Sequence, residues 1–238
     1  PKSNFNLTLG VTDVRQDFDS SIFQILDNNT AQNFNENNLI NRVNFRFQDA
    51  YTALHYRFIK GIFTFDPGVT LHYYKTTTDQ LNGIVSDSYS FFRPDFRVLM
   101  KLKESETLRL IFRSTRQFTD INNLAEGFIF RNYNSFFRGN PNLEAAFFNV
   151  VNLNYQSINI FNFTNIFANL SYSRRDNAIQ NTTAVQGINS VRSATNSDFP
   201  RYTYTASGRI DKRFKNFKGG LNINFNYSDF NNVINDNP

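Results

Sequence analysis

Apolar and polar residues alternate along much of this chain. The stretch GGLNINFNY shows it most clearly: Leu221, Ile223, Phe225 and Tyr227 fall on one parity, and Asn222, Asn224 and Asn226 on the other. A period of two is that of a β-strand, whose successive side chains point to opposite faces. The same pattern predicts nine strands. The first lies near 4–14, with Phe5, Leu7, Leu9 and Val11 on one face. The second covers about 41–58, where Val43, Phe45 and Phe47 set one parity and Leu54, Tyr56 and Phe58 the other; a bulge or bend near Gln48–Thr52 would reconcile them. The third carries Phe63 to Tyr73, with Pro67 marking a bulge or a locally unpaired position. The fourth presents Phe92, Pro94, Phe96, Val98, Met100 and Leu102, and the fifth Leu108, Leu110 and Phe112. Four more strands follow: Ala145–Tyr155, Ile166–Tyr172, Tyr202–Ile210 and the stretch at 219–227. Helical spacing is not sustained anywhere.

The links between these strands alternate short and long. Ile59-Lys60-Gly61, KESE, residues 157–163 and DKRFKNFK read as turns. DNNTAQNFNENN, TTTDQLNGIVSD, residues 117–142 and residues 180–199 read as polar or irregular loops. Many strands run to 10–15 residues by this count, against about five or six in soluble sheets. The opposite edges are strongly polar: Arg93, Asp95, Arg97 and Lys101 on the fourth strand, Arg109 and Arg113 on the fifth, alternate residues from Arg201 to Asp211 on the eighth. Alternation alone fits a soluble sandwich as well as a membrane barrel. Strand length, alternating links, and Tyr73, Tyr155, Tyr172 and Tyr227 at apolar strand ends favour a transmembrane antiparallel up-and-down β-barrel, closed because lipid offers no partner to free backbone groups.

Composition narrows the classes further. The 238 residues include 28 Phe and 11 Tyr but no Trp and no Cys, so the chain is all-β in character and has neither disulfides nor thiolate metal sites. No apolar run is long enough for a transmembrane helix, which says nothing against spanning strands. The net charge of +5 names no partner. PKSNFNLTLG holds no signal peptide, NNVINDNP reads as a polar loop, and both ends look cut from something longer.

Two segments, AYTALHYRFIKGIFTFDPGVTLHYYKT and FFRPDFRVLMKLKESETLRLIFRSTRQFTDINNL with the following RGNPNLEAAFFNVVNLNYQ, carry a family likeness. Their order, with Gly139-Asn140-Pro141-Asn142-Leu143 in it, resembles the barrel of TonB-dependent outer-membrane receptors; the family's second Pro after that motif is missing here. The resemblance implies a bacterial outer-membrane location, a barrel of about 22 strands around a plug domain, coupling to TonB, and uptake of a metal chelate, an oligosaccharide or a peptide. Nine strands make an incomplete wall, so residues 1–238 are expected to be one segment of that barrel. The family's barrels tend to end in an aromatic residue, whereas this chain ends in Pro238.

Candidate sites follow from the pattern. A hairpin turn centred on Ser105 would set Lys101 opposite Arg109 and Arg97 opposite Arg113, a like-charge array calling for carboxylates or an anion. With Arg93 these form a basic wall that contacts an acidic plug or an anionic ligand, or is balanced by Asp95 and neighbouring strands. Tyr133, Phe136 and Phe137, in a loop that also holds Phe128 and Phe130, would stack on a ligand or pack against other loops, and Asn140 sits in a turn with a smaller claim to ligand contact. His55 and His72 are the only histidines, so no His cluster binds zinc, and no cofactor is expected. No nucleophile elbow or Walker loop appears, so an enzyme is not expected. The basic turn at Lys212, Arg213, Lys215 and Lys218 reads as solvated rather than as a nucleic-acid site. The reading is a receptor barrel whose expected partners are lipid, plug, TonB and a surface lipoprotein or small-molecule ligand. Its alternatives are a non-transporting adhesive barrel and a soluble β-sandwich binding module.

Overall fold

The computed structural model of the protein describes residues 2–34, 37–229, 233 and 234. Its strands in chain order are β1 (Ser3–Ser21), β2 (Phe23–Ile25), β3 (Ala31–Asn33), β4 (Ile40–Lys60), β5 (Phe63–Gln80), β6 (Gly83–Lys103), β7 (Glu106–Gln117), β8 (Phe128–Asn132), β9 (Ser135–Arg138), β10 (Ala146–Asn159), β11 (Thr164–Asp176), β12 (Ile179–Gln186), β13 (Asn189–Asn196), β14 (Arg201–Phe214), β15 (Phe217–Asp229) and β16 (Val233–Ile234). Nine of them form one sheet in the order β1-β4-β5-β6-β7-β10-β11-β14-β15. Every pairing in it is antiparallel between successive wall strands, so the sheet is an up-and-down meander.

The apolar parity faces outward and stays exposed. Leu221, Ile223 and Phe225 are 58%, 62% and 59% exposed, with no second sheet over them. That disposes of the stacked sandwich, which would have buried these side chains. The apolar row on β5 runs from Phe63 to Tyr73. Ten residue steps at about 3.3 Å, tilted by about 40°, span roughly 25 Å, the height of the lipid-facing band of an outer-membrane barrel. Aromatic rows mark its margins. Near the short turns Phe5, Tyr56, Phe58, Phe65 and Phe63 stack in sequence. Towards the long connections Tyr172, Tyr204 and Tyr227 stand side by side across β11, β14 and β15.

The strands outrun this band. On β1 the outward row changes from Phe5–Val11 to Asp13, Arg15, Asp17 and Asp19. Just past the change Arg46 clamps Asp13 through two hydrogen bonds of 2.9 Å. The segment TTTDQLNGIVSD, expected as a loop, is therefore mostly strand: β5 and β6 pair as far as Gln80 and Gly83 and turn through Leu81-Asn82 alone. Residues 117–142 and 180–199, also expected as loops, contain the β8–β9 and β12–β13 hairpins. These join through a parallel β9–β13 pairing into a separate five-stranded sheet, β16-β12-β13-β9-β8. Within DNNTAQNFNENN, Ala31–Asn33 pairs with Phe23–Ile25, and residues 35 and 36 lie outside the described residues. Of NNVINDNP, only Val233 and Ile234 are described.

The bulge expected near Gln48–Thr52 is absent. The β1–β4 ladder runs unbroken from Ser3–Phe58 to Ser21–Ile40. Val43, Phe45 and Phe47 instead face inward, on the parity of Asp49, Tyr51, Ala53 and His55, while Leu54, Tyr56 and Phe58 face outward. Pro67 behaves as expected: pairing of β4 with β5 lapses opposite Asp66–Pro67 and resumes at Phe58–Phe65 in the same register.

Candidate functional site

The inward face changes character along its height. Near the short turns it is polar. Asn4 and Asn6 of β1, His55 and Arg57 of β4, Asp66 of β5 and Arg97 of β6 line a cleft of about 260 Å³. Arg57 donates to Asp66 at 2.8 Å. The His55 ring reaches across β5 to Asp95 on β6, with Nε2 3.2 Å from Oδ2. It can do so because the residue between them is Gly68: a Cβ there would stand 2.2 Å from the ring. Tyr51 repeats the device over Gly10, where a Cβ would meet the ring at 2.3 Å.

Towards the long connections the inward face becomes aromatic. His72, 5% exposed, donates from Nδ1 to Asp49 at 3.0 Å and stacks on Tyr74 with an interplanar angle of 5°. Phe118, at the start of the β7–β10 connection, packs on Phe47, Tyr74 and Tyr89. Part of that connection folds back onto the inward apolar row: Phe118 covers Phe47, Phe45 lines the adjoining cleft and Val43 is 1% exposed. Polar contacts fix the connection there. Asn41, 4% exposed, accepts from Gly127 N at 2.8 Å and donates to Ser20 Oγ. Gln80 donates to the Leu124 carbonyl at 2.9 Å.

The other half of the wall is a lattice of amides and hydroxyls. Asn154, Asn169, Ser207 and Asn224 form one row across β10, β11, β14 and β15, and Asn152, Ser171, Thr205 and Asn226 the next. Arg109 and Arg209 lie beside the first row in a depression of about 520 Å³, and Arg209 is neutralised by Asp211 at 2.6 Å. The amide parity of the 219–227 stretch thus continues a hydrated inner surface.

Arg93, Arg97, Lys101, Arg109 and Arg113 do share one face, but not in the expected register. The β6–β7 ladder shifts between Lys101 and Lys103, which sets Arg113 opposite Asp95, Arg97 opposite Ile111, Arg109 opposite Leu99 and Lys101 opposite Thr107. No like charges in this array are directly opposed, because the turn lies at Glu104-Ser105 and the irregularity moves the ladder by one further residue, which together bring Asp95 to Arg113. Of the loop aromatics, Phe137 is 4% exposed and lies under Arg131, Phe136 packs with Phe128 and Phe130, and Tyr133 is 83% exposed. Asn140 closes a local turn, accepting from Asn142 N at 2.9 Å. The alternation pattern alone does not single out Asp49, His72, Asp95, His55, Arg116 or Phe118 as site residues. Both histidines fall on the inward parity of their strands, His72 beside Asp49 on the neighbouring strand and His55 reaching Asp95 two strands away; the parity is legible in the sequence and the partners are not.

An outward apolar band, aromatic margins and a polar inner wall define an outer-membrane barrel wall. The sequence matches the outer membrane protein beta-barrel family over residues 1–237, and the chain belongs to that family, in the bacterial outer membrane. No curated protein sequence matches it. Among solved structures it is similar to the copper transporter OprC, at 12% identity and TM-score 0.66, over 94% of this chain and 35% of that one. It is similar to the ferric-catecholate import receptor Fiu from K12 E. coli, at 10% identity and TM-score 0.57, over 95% and 36%. It also resembles the FrpB iron transporter from Neisseria meningitidis, at 12% identity and TM-score 0.55, over 78% and 26%. The chain spans about a third of the first of these.

Proposed function

We propose that the chain is part of the barrel wall of a TonB-dependent receptor that takes up a scarce nutrient. The observation that carries this reading is the inward face. It is wet and amide-rich on one half, and on the other it is covered near the long connections by the folded-back segment at Phe118. A wall of this kind suits a lumen that holds a plug domain and a mouth that receives a ligand. The similarity to a copper transporter, an iron transporter and an import receptor supports the same reading. On this reading the long connections face outside, the basic residues Arg93, Arg97, Lys101, Arg109 and Arg113 face the plug or an anionic ligand, and TonB supplies the energy.

The test is growth of a strain lacking the gene on limiting iron, copper, oligosaccharide or peptide. The expected result is a defect confined to one nutrient and reproduced by inactivating TonB. Normal growth on all of them, with loss of surface adhesion instead, would transfer the assignment to an adhesive barrel.

A further inference from the structure

We propose that the cleft beside Arg116 is a binding site for a small organic carboxylate that carries an apolar group. The cleft measures about 440 Å³ and lies between the ends of β5 and β6 and the segment Pro141–Ala145, which overlaps the end of the Gly139–Leu143 motif. It exists because β6 and β7 stop pairing after Asp95–Arg113 while β7 continues beside β10 to Gln117–Ala146. Arg116 occupies the resulting gap. Its guanidinium carbon lies 4.4 Å from the ring centres of Phe91 and Phe147 and 4.9 Å from that of Tyr89.

These rings hold the guanidinium plane but give its Nε–H no acceptor. That nitrogen is buried and without a hydrogen-bond partner, and Arg116 makes no ion pair among the described residues. Arg116 is otherwise half-buried and bonded to Tyr89, so its guanidinium stays open to a ligand but lacks a counter-charge, which a carboxylate supplies with two parallel hydrogen bonds. The carboxylates already at the cleft do not serve. Glu144 accepts from Asn177 at 3.0 Å, and Asp87 is exposed. Phe118, Phe45 and Phe147 supply an apolar floor next to the charge. One cation beside ring faces, in a volume of this size, selects a ligand with one acid group and one apolar group.

The inference rests on the reading that the barrel mouth faces ligand, and it is tested apart from transport. Calorimetric titration of the intact protein in detergent micelles would use N-acetylphenylalanine, its amide, and acetate. The expected result is binding of the acid, at least about tenfold weaker binding of the amide, and no measurable binding of acetate. Arg116→Gln should abolish the preference for the acid, and Arg116→Lys should retain part of it. Equal affinity for acid and amide, or no binding of the acid to the wild type, would overturn the proposal. Because the titration needs no energy source, a negative result leaves TonB-dependent uptake standing, and loss of TonB-dependence leaves a positive result standing.

Discussion

The Nδ1 of His72 lies 3.0 Å from both carboxylate oxygens of Asp49, across the β4–β5 ladder and under the rings of Tyr51 and Tyr74. Both side chains are nearly removed from solvent, at 6% and 11% exposure. A buried pair of this kind is expensive to break by halves, because the survivor keeps its desolvation cost without its partner. Asp49→Leu alone is expected to destabilise the barrel by about 2–4 kcal/mol, and Asp49→Leu with His72→Leu by less than the sum of the single changes. Chemical unfolding in detergent measures both, and strict additivity would show that the pair does not act as a unit.

Gly68 is the floor on which the His55 ring rests on its way to Asp95. Gly68→Ala pushes the ring off that contact, at about 1–3 kcal/mol. His55→Ala in the same background should recover most of the packing loss. A double variant no more stable than Gly68→Ala would mean that the ring is not what the new methyl meets.

The two parities of β15 make opposite predictions for one substitution. Ile223→Arg places a charge in the lipid-facing band and should cost about 2–4 kcal/mol. Asn224→Arg, one residue on and facing the wet interior, should be close to neutral. Comparable losses at both positions would contradict the sidedness of the sheet.

Asn41 ties β4 to Gly127 and to Ser20 at once. Asn41→Ala should loosen the β7–β10 connection without disturbing the nine-stranded sheet. Limited proteolysis is the measurement: cleavage between residues 118 and 145 should quicken while the wall fragments persist. Unchanged cleavage would place the anchoring of that connection elsewhere.

The wall was largely readable from the sequence and the connections were not, for physical reasons. Leu221, Ile223 and Phe225 alternate cleanly with their asparagines because each face of β15 meets one uniform medium. On β4 the inward face meets two. Phe47 packs under Phe118, distant in sequence, and Phe45 lines the cleft beside it, and a single-strand pattern cannot distinguish that from a bulge. The β8–β9 and β12–β13 hairpins escaped notice because their mutual pairing, Ser135 with Ser190 onward, is parallel and non-local. The five basic residues share one face, as their parity predicts, but the turn at Glu104-Ser105 and a one-residue irregularity between Lys101 and Lys103 set their register, and no residue type announces such a shift. Asp49–His72 and His55–Asp95 follow from the registers of the β4–β5 and β5–β6 ladders, which the inward parity of each residue alone does not set.

Each wall strand leans only on the strand made just before it and the one made just after. Such a ribbon can be extended by a hairpin at either edge without threading any segment past another. Its growth unit is the pair of strands, so the circumference of the finished cylinder is set by how many hairpins the gene supplies.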